Sequence, residues 1–367
     1  MSNVLEHYQY LHQIPELGFE EHKTSAYIAQ QLEQAGYTVT RNVNNTTGIV
    51  AQYDSGKPGP VLALRADMDA LGHIIDGKHC ARHTCGHDGH SSILLTAAQE
   101  LIKENNIKKG RLKLIFQPAE ELGSGALAMI EGGVIDDVDM IIGLHLRPKD
   151  ECPKGFASAA MYYSASTTVE ANIHGIPAHG ARPHLGINAL DAATLAIQAV
   201  NTIHLAPSLT YSVKATRCIC DAGVTNAIPS EAYVCWDLRT STNPAMNELK
   251  AKTLNAIKLS VESIGAKVDI NVTKEIPAAE IDNDVTKIIA EAIVDVLGKE
   301  GLKDPIFTPG GEDFFNYPCQ RNVKAGFWGL GADLTPGLHH PEMKFDTSAL
   351  ENGVKITKAC ALKVLGK

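Results

Sequence analysis

The sequence has no long basic run, no internal repeat and no low-complexity segment, and none of its windows approaches a membrane span, which takes about 18 consecutive apolar residues. Charged residues are sparse at 20%, and a hydrophobic fraction of 44% excludes a disordered chain. Lys and Arg number 33 against 42 Asp and Glu, for a formal charge of −9. That balance argues against nucleic acid or an anionic membrane as the main partner. It leaves the substrate open, because a local basic pocket fits within an acidic protein. Residues 1–16 carry early acids and no apolar stretch of leader length, so the expected location is cytoplasmic. The eight cysteines (Cys80, Cys85, Cys152, Cys218, Cys220, Cys235, Cys319 and Cys360) lack the density of a disulfide scaffold. Most are expected to be reduced and buried as small apolar residues.

What is present is the patterning of two domains, since 367 residues exceed one ordinary core. The spacing of Tyr27, Ile28, Leu32 and Ala35 predicts a helix over 20–35 that stops at Gly36. Residues 48–53, 61–66, 111–116 and 139–144 read as short buried strands, and 91–103 as a helix with Ile93, Leu94, Ala97, Ala98 and Leu101 on one side. Strands alternating with helices predict a doubly wound α/β sheet with helices on both faces. The middle reads differently: strand 167–174, helix 187–203, strands 210–219 and 231–239, helix 246–263 and strand 267–273. That β-α-β-β-α-β order is the one of a ferredoxin-like α+β sandwich. Helices over 284–297 and 347–365, with an apolar strand at 323–328, then return to the first pattern. The simplest organisation is a catalytic domain built from 1–166 and 280–367, interrupted by a small domain at 167–279.

Chemistry-bearing residues gather at the predicted strand ends and bends. Arg82-His83-Thr84-Cys85-Gly86-His87-Asp88-Gly89-His90 directly precedes an apolar helix. A thiolate and an imidazole two residues apart suit a borderline-soft cation such as zinc, although a merely packed cysteine would read the same way. Glu120 and Glu121 follow a predicted buried strand, where α/β sheets present ligands at their carboxyl ends. Two adjacent acids can divide the work, one ligating a metal and the other accepting a proton; a solvated acidic turn is the plain alternative. His145 ends the apolar run 140–144, as a ligand or a satisfied core histidine. His339 and His340 lie in a Gly/Pro-rich loop before the last helix, and either can close a site. Asp67 and Asp69 follow the 61–66 strand, where an acid can orient a metal-bound histidine.

In this order the landmarks resemble the co-catalytic metallopeptidase and aminoacylase family that includes carboxypeptidase G, hippurate hydrolase and the indole-acetyl-amino-acid hydrolases. The likeness is to its bacterial amidohydrolase branch with a bridging cysteine, and it spans nearly the whole chain. It is carried by His12-Gln13-Ile14-Pro15-Glu16-Leu17, Leu64-Arg65-Ala66-Asp67-Met68-Asp69-Ala70-Leu71, Cys85-Gly86-His87-Asp88-Gly89-His90, Gln117-Pro118-Ala119-Glu120-Glu121, Gly143-Leu144-His145, Pro177-Ala178-His179, Glu312-Asp313-Phe314 and Leu338-His339-His340-Pro341.

The resemblance implies two divalent metal ions per subunit: zinc, manganese, cobalt or nickel. Cys85 would bridge them, with His87 and His145 completing one site and Glu121 and His339 the other. It further implies Glu120 as general base and then acid, and Asp69 behind the metals. His179, Asn226 and Arg239 would bind substrate from an inserted dimerisation or lid domain, so a homodimer is expected. The implied activity is hydrolysis of an N-acyl amino acid or a related small amide. A dipeptidase or carboxypeptidase, a catalytically silent metal-binding relative and a cysteine hydrolase using Cys85 are the alternatives. Many relatives carry a proline and a longer acidic loop after the Asp69-Ala70-Leu71 landmark, whereas here a shorter loop, 72–84, leads to Cys85.

Overall fold

All seven residues of Val61–Asp67 are buried, as in a strand covered on both faces. In the computed structural model, which describes residues 3–366, this strand lies inside an eight-stranded sheet. The sheet order is Thr38–Thr40, Ile49–Asp54, Arg111–Gln117, Val61–Asp67, Met140–Pro148, Lys324–Leu334, Ala157–Ser158 and Leu302–Lys303. The four central strands from Arg111–Gln117 to Lys324–Leu334 run parallel. Antiparallel partners flank them at Ile49–Asp54 and Ala157–Ser158, which makes the sheet mixed. Phe327 and Trp328 are adjacent on one strand and therefore point to opposite faces. Trp328 joins a core with Ile93, Ile289 and Leu350, on the side where the helices His87–Lys103, Asn283–Leu297 and Leu350–Leu365 pack together. Phe327 meets Phe314 and Phe315, with ring centres 4.8 and 5.6 Å apart, beside the helix Asn316–Arg321. The α/β class read from the periodicity is the one observed.

This unit comprises residues 3–162, 280–307 and 313–366. Three local readings need correction. The segment read as a loop over 72–84 contains a hairpin, Leu71–Ile75 with Lys78–Arg82. Asp76 and Gly77 turn it with φ of 50° and 74°, the left-handed pair that a tight hairpin turn requires. The helix read from Ser91 begins at His87. Its polar first turn carries no apolar period, yet His87, Asp88 and His90 are buried. The cysteines are all free, but only Cys85, Cys152 and Cys360 are buried. Cys218, on an edge strand of the second unit, is exposed.

The second unit comprises residues 163–279 and 308–312. Its strands Ala165–His174, Tyr211–Ile219, Glu231–Thr240 and Lys267–Ile276 form one antiparallel sheet. Tyr211–Ile219 and Lys267–Ile276 are its edges. The helix Ala189–Asn201 follows the first strand and Asn243–Glu262 the third. Asn188 and Thr242 cap these helices by accepting from the backbone N–H of Leu190 and Ala245, satisfying donors that the first turn leaves orphaned. Strict alternation along Glu231–Thr240 buries Ala232, Val234, Trp236 and Leu238 in a core with Val169 and Ile257.

Candidate metal centre

Parallel strands end on one edge of a sheet, so residues just past their carboxyl ends meet. Val61–Asp67 delivers Asp67 and Asp69, Arg111–Gln117 delivers Glu120 and Glu121, and Met140–Pro148 carries His145. The turn after Lys78–Arg82 adds Cys85, followed by His87 at the start of its helix. Gly86 lets the chain enter that helix at φ 90°, where a Cβ would come within 3.2 Å of Leu146. Two further left-handed residues shape the approach. Ala119 has φ 52°, and Glu21 accepts its N–H at 2.8 Å. His339 has φ 64°, and its N–H donates to Thr84 O at 2.7 Å. Non-glycine residues hold such backbone only where the surroundings over-determine it.

The side chains converge. Single ligand-type atoms of Cys85, His87 and His145 lie within 4.8 Å of one another, as do those of Cys85, Glu121 and His339. A third such group is His87, Glu120 and Glu121. Cys85 Sγ is 3.4 Å from His145 Nε2, and Glu121 Oε1 is 3.4 Å from His339 Nε2. His339 and His340 are both exposed, but His340 belongs to no such group among the described residues, and its Nδ1 accepts the Glu342 N–H at 3.1 Å. Asp69 touches both sides of the cluster. Its Oδ1 is 3.1 Å from His87 Nδ1, and its Oδ2 accepts the Glu121 backbone N–H at 3.0 Å. Glu120 Oε1 accepts the Asp313 N–H at 3.3 Å.

The electrostatics suit a cation. His87 Nε2 is buried without a hydrogen-bond partner, with carboxylate oxygens of Glu121, Asp67 and Glu120 at 3.8, 3.9 and 4.0 Å. Burial opposes charge on this imidazole, but Asp67, Cys85 and Asp69 together hold its pKa well above the usual range. Burial and the Glu121 carboxylate push the Cys85 thiol well up, so a thiolate here calls for positive charge beside it. Burial, with His90 and Arg147 nearby, holds His145 well down and neutral. Neutral imidazole is the ligand form. A soft sulfur, imidazole nitrogens and a carboxylate form a donor set that fits transition-metal cations.

Residue-by-residue reading passed over a buried frame beneath these groups. Arg65 Nη1 donates to Asp67 at 2.6 Å and Nη2 to Asp313 at 3.1 Å, while Gln117 Nε2 donates to Asp313 at 2.7 Å. The available signal was an arginine among the apolar residues of Val61–Asp67. The remaining expected residues lie in the second unit. His179 and Asn226 are exposed neighbours, joined by the Gly180 N–H donating to Asn226 O at 2.7 Å. Arg239 Nε pairs with Asp237 at 3.0 Å.

Relatives share this architecture. An N-acetyl-L-cysteine deacetylase of Bacillus subtilis is 31% identical over 352 residues, 93% of this chain and 83% of its own. A solved structure from methicillin-resistant Staphylococcus aureus superposes with a TM-score of 0.90 at 27% identity, covering 99% of this chain and 96% of its own. The YXEP protein of Bacillus subtilis, described as a dinuclear metal-binding peptidase of the M20 family, gives 0.79 at 26%, covering 99% and 97%. The family model for peptidase family M20/M25/M40 matches residues 63–363. With that match running through both ends of the ligand cluster, the chain belongs to peptidase family M20/M25/M40.

Proposed function

We propose that the chain is a metal-dependent amidohydrolase, cleaving the amide bond of N-acyl amino acids or related small amides with an activated water. The observation that carries this reading is the sharing of Cys85 between two groups of ligand atoms, one with His87 and His145 and the other with Glu121 and His339. Those five residues would hold two divalent cations, with the thiolate as bridge; zinc, manganese, cobalt and nickel all suit the set. Bound there, the cations supply Lewis acidity that lowers the pKa of water and polarises the scissile carbonyl.

The chain's own groups do the rest. Asp69 takes the Nδ1–H of His87, which leaves Nε2 facing the cluster, and it fixes the Glu121 peptide from its other oxygen. Glu120 is oriented by the Asp313 N–H. It accepts a proton from the attacking water and returns it to the leaving amine nitrogen. In the second unit, His179 would donate to the developing oxyanion, and Asn226 and Arg239 would bind the substrate's polar end. We assign 1–166 and 280–367 to the catalytic domain and 167–279 to an inserted ferredoxin-like domain serving dimerisation and as a lid. Its unpaired sheet edge Tyr211–Ile219, with Ile219 half exposed, supports pairing with a second copy. Eight free thiols support a reducing, cytoplasmic setting.

A cysteine-hydrolase reading draws on the 3.4 Å contact between Cys85 and His145. The upward shift of the buried thiol opposes it. The test is a panel of N-acetyl, N-benzoyl and indole-acetyl amino acids beside dipeptides, run on chelator-stripped protein with single metals added back. Turnover of acyl amino acids only after metal addition supports the reading. Turnover by stripped protein transfers it to Cys85, and cleavage of dipeptides alone makes the enzyme a dipeptidase.

A further inference from the structure

His90 lies beside the proposed ligands and belongs to a group, Asp67, His87 and His90, whose atoms also approach within 4.8 Å of one another. Its hydrogen bonds rule out ligation. The Leu146 backbone N–H donates to His90 Nε2 at 2.9 Å, which occupies that nitrogen's lone pair. The other nitrogen must then carry the proton, and it donates to Asp67 Oδ1 at 2.7 Å. Asp67 is held in turn by Arg65 Nη1 at 2.6 Å on its second oxygen. All three side chains are buried.

The residue whose backbone N–H His90 holds, Leu146, also supplies the carbonyl that aims His145. His145 Nδ1 lies 2.6 Å from Leu146 O, a carbonyl that can only accept, so Nδ1 carries the proton and the Nε2 lone pair faces Cys85. The His90 and His145 rings also meet edge to face, their centres 4.6 Å apart. We infer that His90, fixed by Asp67 and Arg65, is a positioning residue that orients the metal-binding nitrogen of His145 by holding the backbone of Leu146, whose carbonyl accepts from His145. This rests on the two-metal reading above.

The chain of contacts predicts an asymmetric loss. His90→Phe fills the same space but neither donates to Asp67 nor accepts from Leu146. It should weaken the ion held by Cys85, His87 and His145 about 10–100-fold, the usual cost of losing such a partner, and leave the other ion unchanged. His90→Gln, whose amide can both donate and accept, should stay within about threefold of wild type. If the Phe variant does not fold, His90→Asn, too short to reach Leu146, takes its place.

The experiment is zinc titration of chelator-stripped wild type and variants by calorimetry. It is paired with nitrogen-15 spectra of the wild-type histidines before and after zinc. Wild type binding two zinc ions tests the metal reading by itself, and fewer would remove that reading. Given two, the inference expects one weakened zinc in His90→Phe, and a His145 signal that shifts while His90 keeps its proton on Nδ1. Folded His90→Phe binding both ions at wild-type strength, or a His90 signal moving to the metal-bound form, would overturn it.

Discussion

Arg65 Nη2 donates to Asp313 Oδ1 at 3.1 Å, joining residues 248 positions apart where neither side chain meets solvent. The same guanidinium holds Asp67, so one cation serves two buried carboxylates. Arg65→Met would leave both without it, and a buried charge stripped of its partner costs about 3–5 kcal/mol. Urea unfolding followed by Trp328 fluorescence in a Trp236→Phe background should show that loss. An unchanged midpoint would mean the pair adds no stability.

Glu120→Gln keeps the shape of the side chain and removes its basicity. Turnover should fall by about 10²–10⁴-fold while metal content stays at wild-type level. Steady-state kinetics with elemental analysis of the same preparation measures both. A variant at full speed takes Glu120 out of the proton transfers.

The paired histidines of the last loop separate cleanly. His339→Ala should weaken one of two bound zinc ions by at least about tenfold, because Nε2 of His339 faces Glu121. His340→Ala should stay near wild type, its Nδ1 being engaged by the Glu342 N–H. The reverse ranking in a zinc titration would exchange their roles.

Cations that bind only the folded chain must stabilise it. Adding zinc or manganese at about 100 times Kd should contribute about 2.7 kcal/mol per site. The thermal midpoint of stripped protein should climb with metal concentration and fall again with chelator. A midpoint indifferent to metal contradicts a site formed on folding.

His7 supplies a pH test away from the centre. It is buried between Tyr27 and Gln99, 2.8 and 3.0 Å away, and burial holds its pKa below the usual 6.5. The unfolded chain therefore takes up this proton first as pH falls. The contribution of neutral His7 is fully present above 6.5 and lost as pH drops from there through the folded value. His7→Gln should flatten that acid limb in urea midpoints of stripped protein between about pH 7 and 5. An identical slope in both proteins would place the proton uptake elsewhere.

Local patterning carried much of the fold. The helix ending at Gly36 is there, with that glycine left-handed at φ 97°, and each strand read in the first part starts within one residue of its place, although Met140–Pro148 runs on past 144 and takes in His145. The hairpin was missed although Asp76-Gly77 announces it, because Ile74 and Ile75 sit among polar residues and give no clear face. The start of the His87 helix was missed for a different reason. Buried polar residues are stable only with partners, and those of His87, Asp88 and His90 are Asp69, His12 and Asp67, far away along the chain.

The amino-acid order alone determined the α/β class, the strand ends where reactive side chains collect, and the residue types gathered there, because these depend on short-range periodicity and side-chain chemistry. Tertiary structure alone decided which nitrogen of His90 and His145 carries the proton, which of His339 and His340 faces Glu121, and that Arg65 serves two acids. Those outcomes depend on hydrogen-bond partners that only the folded sheet brings within 3.5 Å.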